Sequence, residues 1–531
     1  MKAFLPFLAY VTAFAVLPLA FVTAKTVSRV KLRDPTFVRT LLKDYLRTVP
    51  IIALVSLPAL AFPSVVRPYA VALHFIFGLP LCLELGHVHL YGTRVGINTF
   101  YSVFVSNARE TREFVAQNVS LRQMLLVFAL WLLPPIGLGF LPAPAWSSPA
   151  AQAAGCGLFA LLAFAFVRNL LRGDHGKDGY VLNPYSNLIV NYFRFRVLYR
   201  NLREQIARHA APPFADIVSR LPADEPQTYV VVIGESANAM HHRYCGYARE
   251  TNEFTDALGE SVMRFQGVRS PFAQTIPVLE RVLTFADAEH PDRVWTKGSV
   301  IDYFHDAGFE TYWLSNQYAL DDTAVTAMTA HADVSKCYNF SGMKRFEKAG
   351  LDGALLPDFA KFIRGGARRK VLFLHLIGSH SAYVNRSPDA FRHFTGPVPG
   401  RNLPPAKLQL VNAYDDSIRY TDWVVAELIR ELSAVGGASY LLYFSDHGED
   451  IYDSTDEHIL GHGPLANLPM TSVPFMLWTS PRLDELRADI CARFTAAKRT
   501  YGLGDVIHTV LDLSSLSNQD FVQEKSILWR S

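Results

Sequence analysis

The chain has 531 residues, with 51 lysines and arginines against 48 aspartates and glutamates, a formal charge of +3 at pH 7. That balance leaves no basic stripe of the kind a nucleic-acid surface requires, and the length accommodates several domains. Hydrophobic residues make up 50% of the chain but crowd into its first third, so the average conceals two unlike halves. The cysteines at 82, 156, 245, 337 and 491 have no CxxC spacing, which argues against a thiolate zinc site. Cys82 and Cys156 fall in apolar runs as packing residues, and a disulfide among the other three is left open.

Stretches of about 20 apolar residues cross a bilayer as helices. Five such stretches are predicted at 4–23, 49–65, 68–91, 123–142 and 150–169. The second is the weakest, since it is short and contains Pro50, Pro58 and Pro63. The first ends in Val22-Thr23-Ala24, which also fits a cleaved signal peptide. Glu84, His87 and His89 close the third span, where ionisable groups either mark a path or sit at headgroup level. Lys25, Arg29, Lys31, Arg33, Arg39, Lys43 and Arg47 crowd the first connection, which the positive-inside rule assigns to the cytoplasm. Five spans would then put the C-terminal half there as well, whereas a cleaved first segment would put it outside.

A linker over 173–226 follows. Its segment LNPYSNLIVNYFRFRVLYRNLREQIARH, 182–209, interleaves aromatic residues with Arg194, Arg196, Arg200 and Arg203. The mixture suits a helix lying in the headgroup region, or one bridging the two halves.

From about 227 the pattern changes to strands alternating with helices. Apolar runs at 229–235, 311–316, 371–378, 440–448 and 473–480 read as strands, and 407–434 has helical spacing. Such alternation predicts an α/β/α sandwich around a mainly parallel sheet, in which ligands gather beyond the carboxyl ends of the strands. Those ends carry Glu235, His380, Asp446 and His447, and His458 and His462 follow close behind. Oxygen and imidazole donors of this kind suit Zn²⁺ or Mn²⁺. A second Asp-His-Gly at 174–176 has no strand before it and so lacks that context. Thr275 precedes Pro277 and a helical pattern, so it is expected at or near the helix N-cap. It is there either as a cap or as a nucleophile activated by the metal beside free backbone N–H groups.

YVVVIGESANAMHHRYCGYARETNEF, SPFAQTIPVLERVLTFA, LHLIGSHSAY, NAYDDSIRYTDWVVAELI and YFSDHGEDIYD occur in this order. Together they resemble the membrane-anchored phosphoethanolamine transferases of Gram-negative bacteria, in the alkaline phosphatase/sulfatase superfamily. The likeness is closest to the branch that decorates the lipopolysaccharide core. It implies a multi-span helical membrane domain over 1–172 and a sulfatase-like catalytic domain over 227–531, on the periplasmic face of the inner membrane. It also implies transfer of phosphoethanolamine from phosphatidylethanolamine to a glycolipid acceptor through a phosphothreonine. Glu235, Thr275, Asp446 and His447 match the family's zinc site. His380 and His462 match histidines that hold the phosphoryl group or move protons, with His458 as rival for the second place.

Two departures stand out. Val105 replaces an acid in FVSNARETREF, and Ser472 stands in TSVP where the lipid A branch has a histidine. The positive first connection also opposes the family's topology. A sulfatase would need a modifiable Cys or Ser in a C/S-x-P-x-R pattern, and Thr275-Ile276-Pro277 lacks both nucleophile and arginine. A phosphoglycerol transferase acting on a periplasmic glycan could use the same threonine and metal. A membrane scaffold with a degenerate domain would have no reason to keep the four matching residues.

Overall fold

In a computed structural model of the chain, residues 213–531 are described except 319–322, 340–349, 455–460, 463–465, 498–499 and 530–531. Before residue 213 the description covers chiefly 121–140, 148–171 and 191–200, with isolated positions elsewhere. The chain divides into two compact units, Met1–Tyr199 and Arg200–Ser531.

In the first unit, the stretches expected at 123–142 and 150–169 form helices α1 (Leu121–Gly139) and α2 (Pro149–Leu171). Leu125, Leu126, Leu133 and Ile136 of α1 and Leu158, Leu161 and Phe164 of α2 are exposed. Among the described residues no helix is long and apolar enough to cross a membrane. The span expected at 4–23, Val105 and the second Asp-His-Gly lie outside the described residues, as do half of 68–91 and all of 49–65 but Phe62 and Ser64. Glu84 and His87 are buried, and His87 Nε2 lies 3.1 Å from Thr99 Oγ1. Residues 191–200 are helical, with Phe195 buried against Phe100 and Phe193, Val197 and Leu198 exposed.

The second unit is built on a seven-stranded sheet. Its strands are β1 (Gln227–Gly234), β2 (Val262–Arg264), β3 (Glu310–Tyr318), β4 (Val334–Asn339), β5 (Arg369–His375), β6 (Ala438–Ser445) and β7 (Phe475–Thr479). They lie in the order β2-β7-β6-β1-β5-β3-β4, and the five from β6 to β4 are parallel. All eight residues of β1 are buried, as expected of a central strand covered on both faces.

Helices α3 (Thr275–Val282), α4 (Val300–Asp306), α5 (Pro405–Ser433) and α6 (Val506–Leu513) connect or flank the strands. Val424, Val425, Leu428 and Leu432 recur along α5 at helical spacing and pack with Val230, Leu372 and Leu441 on one sheet face. On the other face Phe304 of α4 meets Tyr229 and Phe373. Tyr440 lies 3.5 Å from the Val510 carbonyl of α6.

The expected strand at 473–480 is found as β7, and the sheet is mainly parallel as expected, but β7 is not one of the parallel strands. β7 runs antiparallel to β6, and Ser472–Val473 pairs separately with Val268–Arg269. β2 and β4 escaped prediction because VMR is too short and VSKCYN too polar to stand out.

Register sets up the chemistry. Ile233 pairs with both His375 and Phe444, and Gly234 with Ser445. The residues that follow β1, β5 and β6 therefore emerge together at one edge.

Candidate metal centre and nucleophile

Glu235 follows β1, and Asp446 and His447 follow β6. All three are buried, and one ligand atom from each lies within 4.8 Å of the others. Hydrogen bonding decides which atoms face the centre. Asp446 Oδ1 accepts from the backbone amides of Ser236 (3.1 Å) and His447 (2.7 Å). Asp446 Oδ2 is buried and has no hydrogen-bond partner among the described residues. His447 Nδ1 lies 2.9 Å from the Gly448 carbonyl, so Nδ1 carries the proton and Nε2 presents its lone pair. That nitrogen is 3.4 Å from Glu235 Oε1 and 3.5 Å from Asp446 Oδ2.

Thr275 joins them from α3. Thr275 lies next to the helix N-cap, as expected: Gln274 is the N-cap, with no side-chain capping bond, and Thr275 is the first helical residue. Its hydroxyl is therefore free of helix capping. It donates instead to Glu235 Oε2 at 3.1 Å and lies 3.5 Å from His447 Nε2. The four residues expected at the metal site thus converge from three separate segments.

The histidines are placed unequally. The His462 ring packs on His447 at 4.4 Å between centroids, and its Nδ1 is 3.2 Å from Glu449 Oε1. Glu449 also accepts from the Tyr383 hydroxyl. His380 sits in the turn after β5, close enough for its charge to act on Glu235, and its Nδ1 is buried without a hydrogen-bond partner among the described residues. His458 lies outside the described residues. Ser472 is occupied structurally, donating to the Leu468 carbonyl and accepting from Arg269.

The charges in the cluster act on one another. Burial would raise Glu235, but the hydrogen bond and charge of His447 outweigh it and hold the carboxyl well below its usual range. Burial and the charge on Glu235 push Asp446 up, while His447 rises beside the two carboxylates despite its burial. Two carboxyls and an imidazole crowded together out of solvent suit a divalent cation, which would offset their charge on displacing the protons they hold. With Asp446 Oδ2 unsatisfied and the Nε2 lone pair aimed inward, the residues fit a zinc-type ion.

Strand-end reasoning missed several supporting groups. Ser236, in a left-handed conformation at φ 60°, donates to Glu235 Oε1 at 2.7 Å. Gln317 Nε2 lies 3.0 Å from Glu235 Oε2. Asn316-Gln317 closes an apolar run as Asp446-His447 does, and the same rule applied to β3 would have found it.

A profile described as Sulfatase matches residues 227–516, more than half the chain. The chain belongs to the sulfatase family. Among relatives of this sulfatase-family protein, phosphoethanolamine transferase EptC of Escherichia coli K12 is 28% identical over 511 residues, covering 89% of this chain and 84% of that protein. Phosphoethanolamine transferase CptA of Salmonella typhimurium is 28% identical over 498 residues, with the same coverage. The crystal structure of the C-terminal periplasmic domain of E. coli EptC, solved also in complex with Zn, matches with a TM-score of 0.56 and 31% identity. That match covers 60% of this chain and 90% of the domain. The integral membrane protein EptA of Neisseria meningitidis shares the fold at a TM-score of 0.69 and 20% identity, over 98% of this chain and 97% of its own.

Proposed function

We propose that the protein is a metal-dependent phosphoethanolamine transferase, moving the group from phosphatidylethanolamine to a hydroxyl or amine of lipopolysaccharide, on core sugar or lipid A. The observation that carries this reading is the Thr275 hydroxyl, free of capping duty and 3.1 Å from Glu235 Oε2 beside the three-residue metal cluster. The names of the full-length relatives support the reaction class.

Glu235, Asp446 and His447, with Thr275, would hold zinc, for which the zinc complex of the E. coli relative is the support. Manganese is a weaker candidate on donor chemistry alone. Bound, the metal lowers the threonine's pKa and offsets charge on the phosphoryl oxygens. The Thr275 proton leaves along its existing hydrogen bond to Glu235. The Thr275 Oγ–P bond forms as the P–O bond to diacylglycerol breaks, and the leaving oxygen takes a proton from His462 or His380. In the second step the acceptor oxygen or nitrogen attacks phosphorus and gives its proton to the histidine that protonated diacylglycerol, while the P–O bond to Thr275 breaks and its oxygen regains the proton held on Glu235.

The deciding experiment is peptide mass spectrometry on detergent-purified enzyme after incubation with phosphatidylethanolamine and no acceptor. A phosphoethanolamine adduct on the Thr275 peptide is expected. A phosphoglycerol adduct formed only from phosphatidylglycerol would move the protein to the glycan-modifying class, and no adduct from either lipid in metal-loaded protein would overturn the transferase reading.

The same proposal makes 1–172 a membrane domain of about five helices, 173–226 a linker and 227–531 the catalytic domain on the periplasmic side of the inner membrane. The basic first connection opposes this topology. A reporter enzyme active only in the periplasm, fused after residue 531, should be active, and a silent fusion would reverse the assignment.

A further inference from the structure

Among the described residues, Glu235 alone of the metal cluster receives a side-chain amide from a neighbouring strand. We propose that Gln317 is a positioning residue, a strut that fixes the Glu235 carboxylate for both the metal and Thr275. The inference rests on the metal reading above.

The strut is built from both ends. The pairing of β3 with β4 loses register between Ser315 and Tyr318, an irregularity of the kind that re-aims a side chain. Within it the Gln317 amide donates to Ser315 Oγ at 3.2 Å, and its carbonyl lies 3.0 Å from Cys337 Sγ on β4. The main chain is thereby held on both sides. The side chain, nine-tenths buried, then reaches two acceptors through one nitrogen: the Leu376 carbonyl at 2.8 Å and Glu235 Oε2 at 3.0 Å. Because both are acceptors, the atom between them must be the amide nitrogen, which settles the orientation on chemical grounds.

The far anchor is rigid as well. The Leu376 amide donates to the Ile233 carbonyl at 2.9 Å, two residues before Glu235. Gln317 therefore braces the carboxylate against the exit of β5, which is itself tied to β1. Glu235 Oε2 accepts from Gln317 and Thr275 together. A carboxylate turned by loss of the strut would misdirect a metal ligand and the Thr275 hydroxyl at once.

Groups that hydrogen-bond a metal ligand contribute about 10–100-fold to metal affinity. The test uses the full chain in detergent, stripped of metal, with the zinc dissociation constant measured by competition against a chromogenic chelator. Gln317→Met keeps the size and removes both donors. It should weaken zinc by about 10–100-fold while the melting temperature of the metal-free protein stays near the parent's. Gln317→Asn, an amide one methylene shorter, should fall between the two and carries the test if the methionine variant does not fold. Zinc affinity within twofold of the parent overturns the assignment, even if melting drops, because that would be a packing role only. A parent that binds no zinc overturns the metal reading itself, which separates the two failures.

Discussion

Gly378 lies against the backbone of Glu235: a Cβ on Gly378 would be 2.7 Å from the Glu235 carbonyl oxygen and 2.9 Å from its amide nitrogen. Gly378 has φ 47°, and the next residue, Ser379, donates its amide to the Glu235 carbonyl at 2.9 Å. The Asp352 carboxylate accepts the amides of Ile377 and Gly378, both at 2.9 Å. The turn after β5 and the first metal-site residue are thus one packed unit.

Gly378→Ala should damage both stability and the site. A side chain at positive φ costs about 1–2 kcal/mol, and overlap with rigid backbone adds about 1–3 kcal/mol. A loss of about 2–5 kcal/mol by urea denaturation, with weaker zinc binding, is expected. An unchanged midpoint would mean that the turn relaxes freely.

Thr275→Val is close to isosteric and removes the hydroxyl without costing the helix a capping bond. Transfer from phosphatidylethanolamine should fall by at least about 10³-fold, the scale for removing a nucleophile. The mass adduct should vanish and the melting temperature hold. Measurable turnover close to the parent rate would place the nucleophile elsewhere.

Metal removal should be visible as stability. A ligand that binds only the folded state adds about 1.4 kcal/mol for each tenfold excess of free ligand over its dissociation constant. The melting temperature should rise with free zinc in the parent. In Asp446→Asn, where the unsatisfied Oδ2 is replaced by an amide, the curve should flatten. Equal zinc dependence in the two proteins would remove Asp446 from the ligand set.

His241 should make stability pH-dependent. Its Nδ1 is 2.6 Å from Asp415 Oδ1 and its Nε2 is 3.1 Å from Asp453 Oδ1, with Arg249 and Arg401 on the same carboxylates. Burial opposes its charge, but Asp453 and Asp415 outweigh that and raise it to about 9. An unfolded histidine titrates near about 6.5. The contribution is therefore complete below about pH 6.5 and is lost as pH rises through 9, a change of about 3 kcal/mol at most. His241→Gln should flatten the decline between those limits, measured by urea midpoints. The cluster reaches the site through Asn238, whose Nδ2 lies 3.0 Å from the Glu449 carbonyl and 3.3 Å from Asp453 Oδ2.

Much of the fold was legible. Long apolar runs such as YVVVIG become central strands because both faces are covered, and 407–434 becomes α5 within two residues. Short or polar strands, β2 and β4, left no such mark, and the reversed direction of β7 has no local signature, since strand direction depends on the path of the connecting chain. At the site, residue type and position after a strand singled out Glu235, Asp446 and His447. The position of Thr275 beside the helix start was legible too, and of the two roles left open for it the cap is set aside by the structure.

Residue types and apolar periodicity were enough to give the donor types and the edge on which they gather, because apolar periodicity sets strands and strands deliver their ends together. Which atoms point inward was settled by long-range packing. Asp446 Oδ1 is taken by backbone amides and Oδ2 left open; His447 Nδ1 is taken by a carbonyl and Nε2 left open. The Gln317 strut lies 82 residues from Glu235. Such choices are made by hydrogen bonds between groups distant in the chain, and no local pattern encodes an angle or a free lone pair.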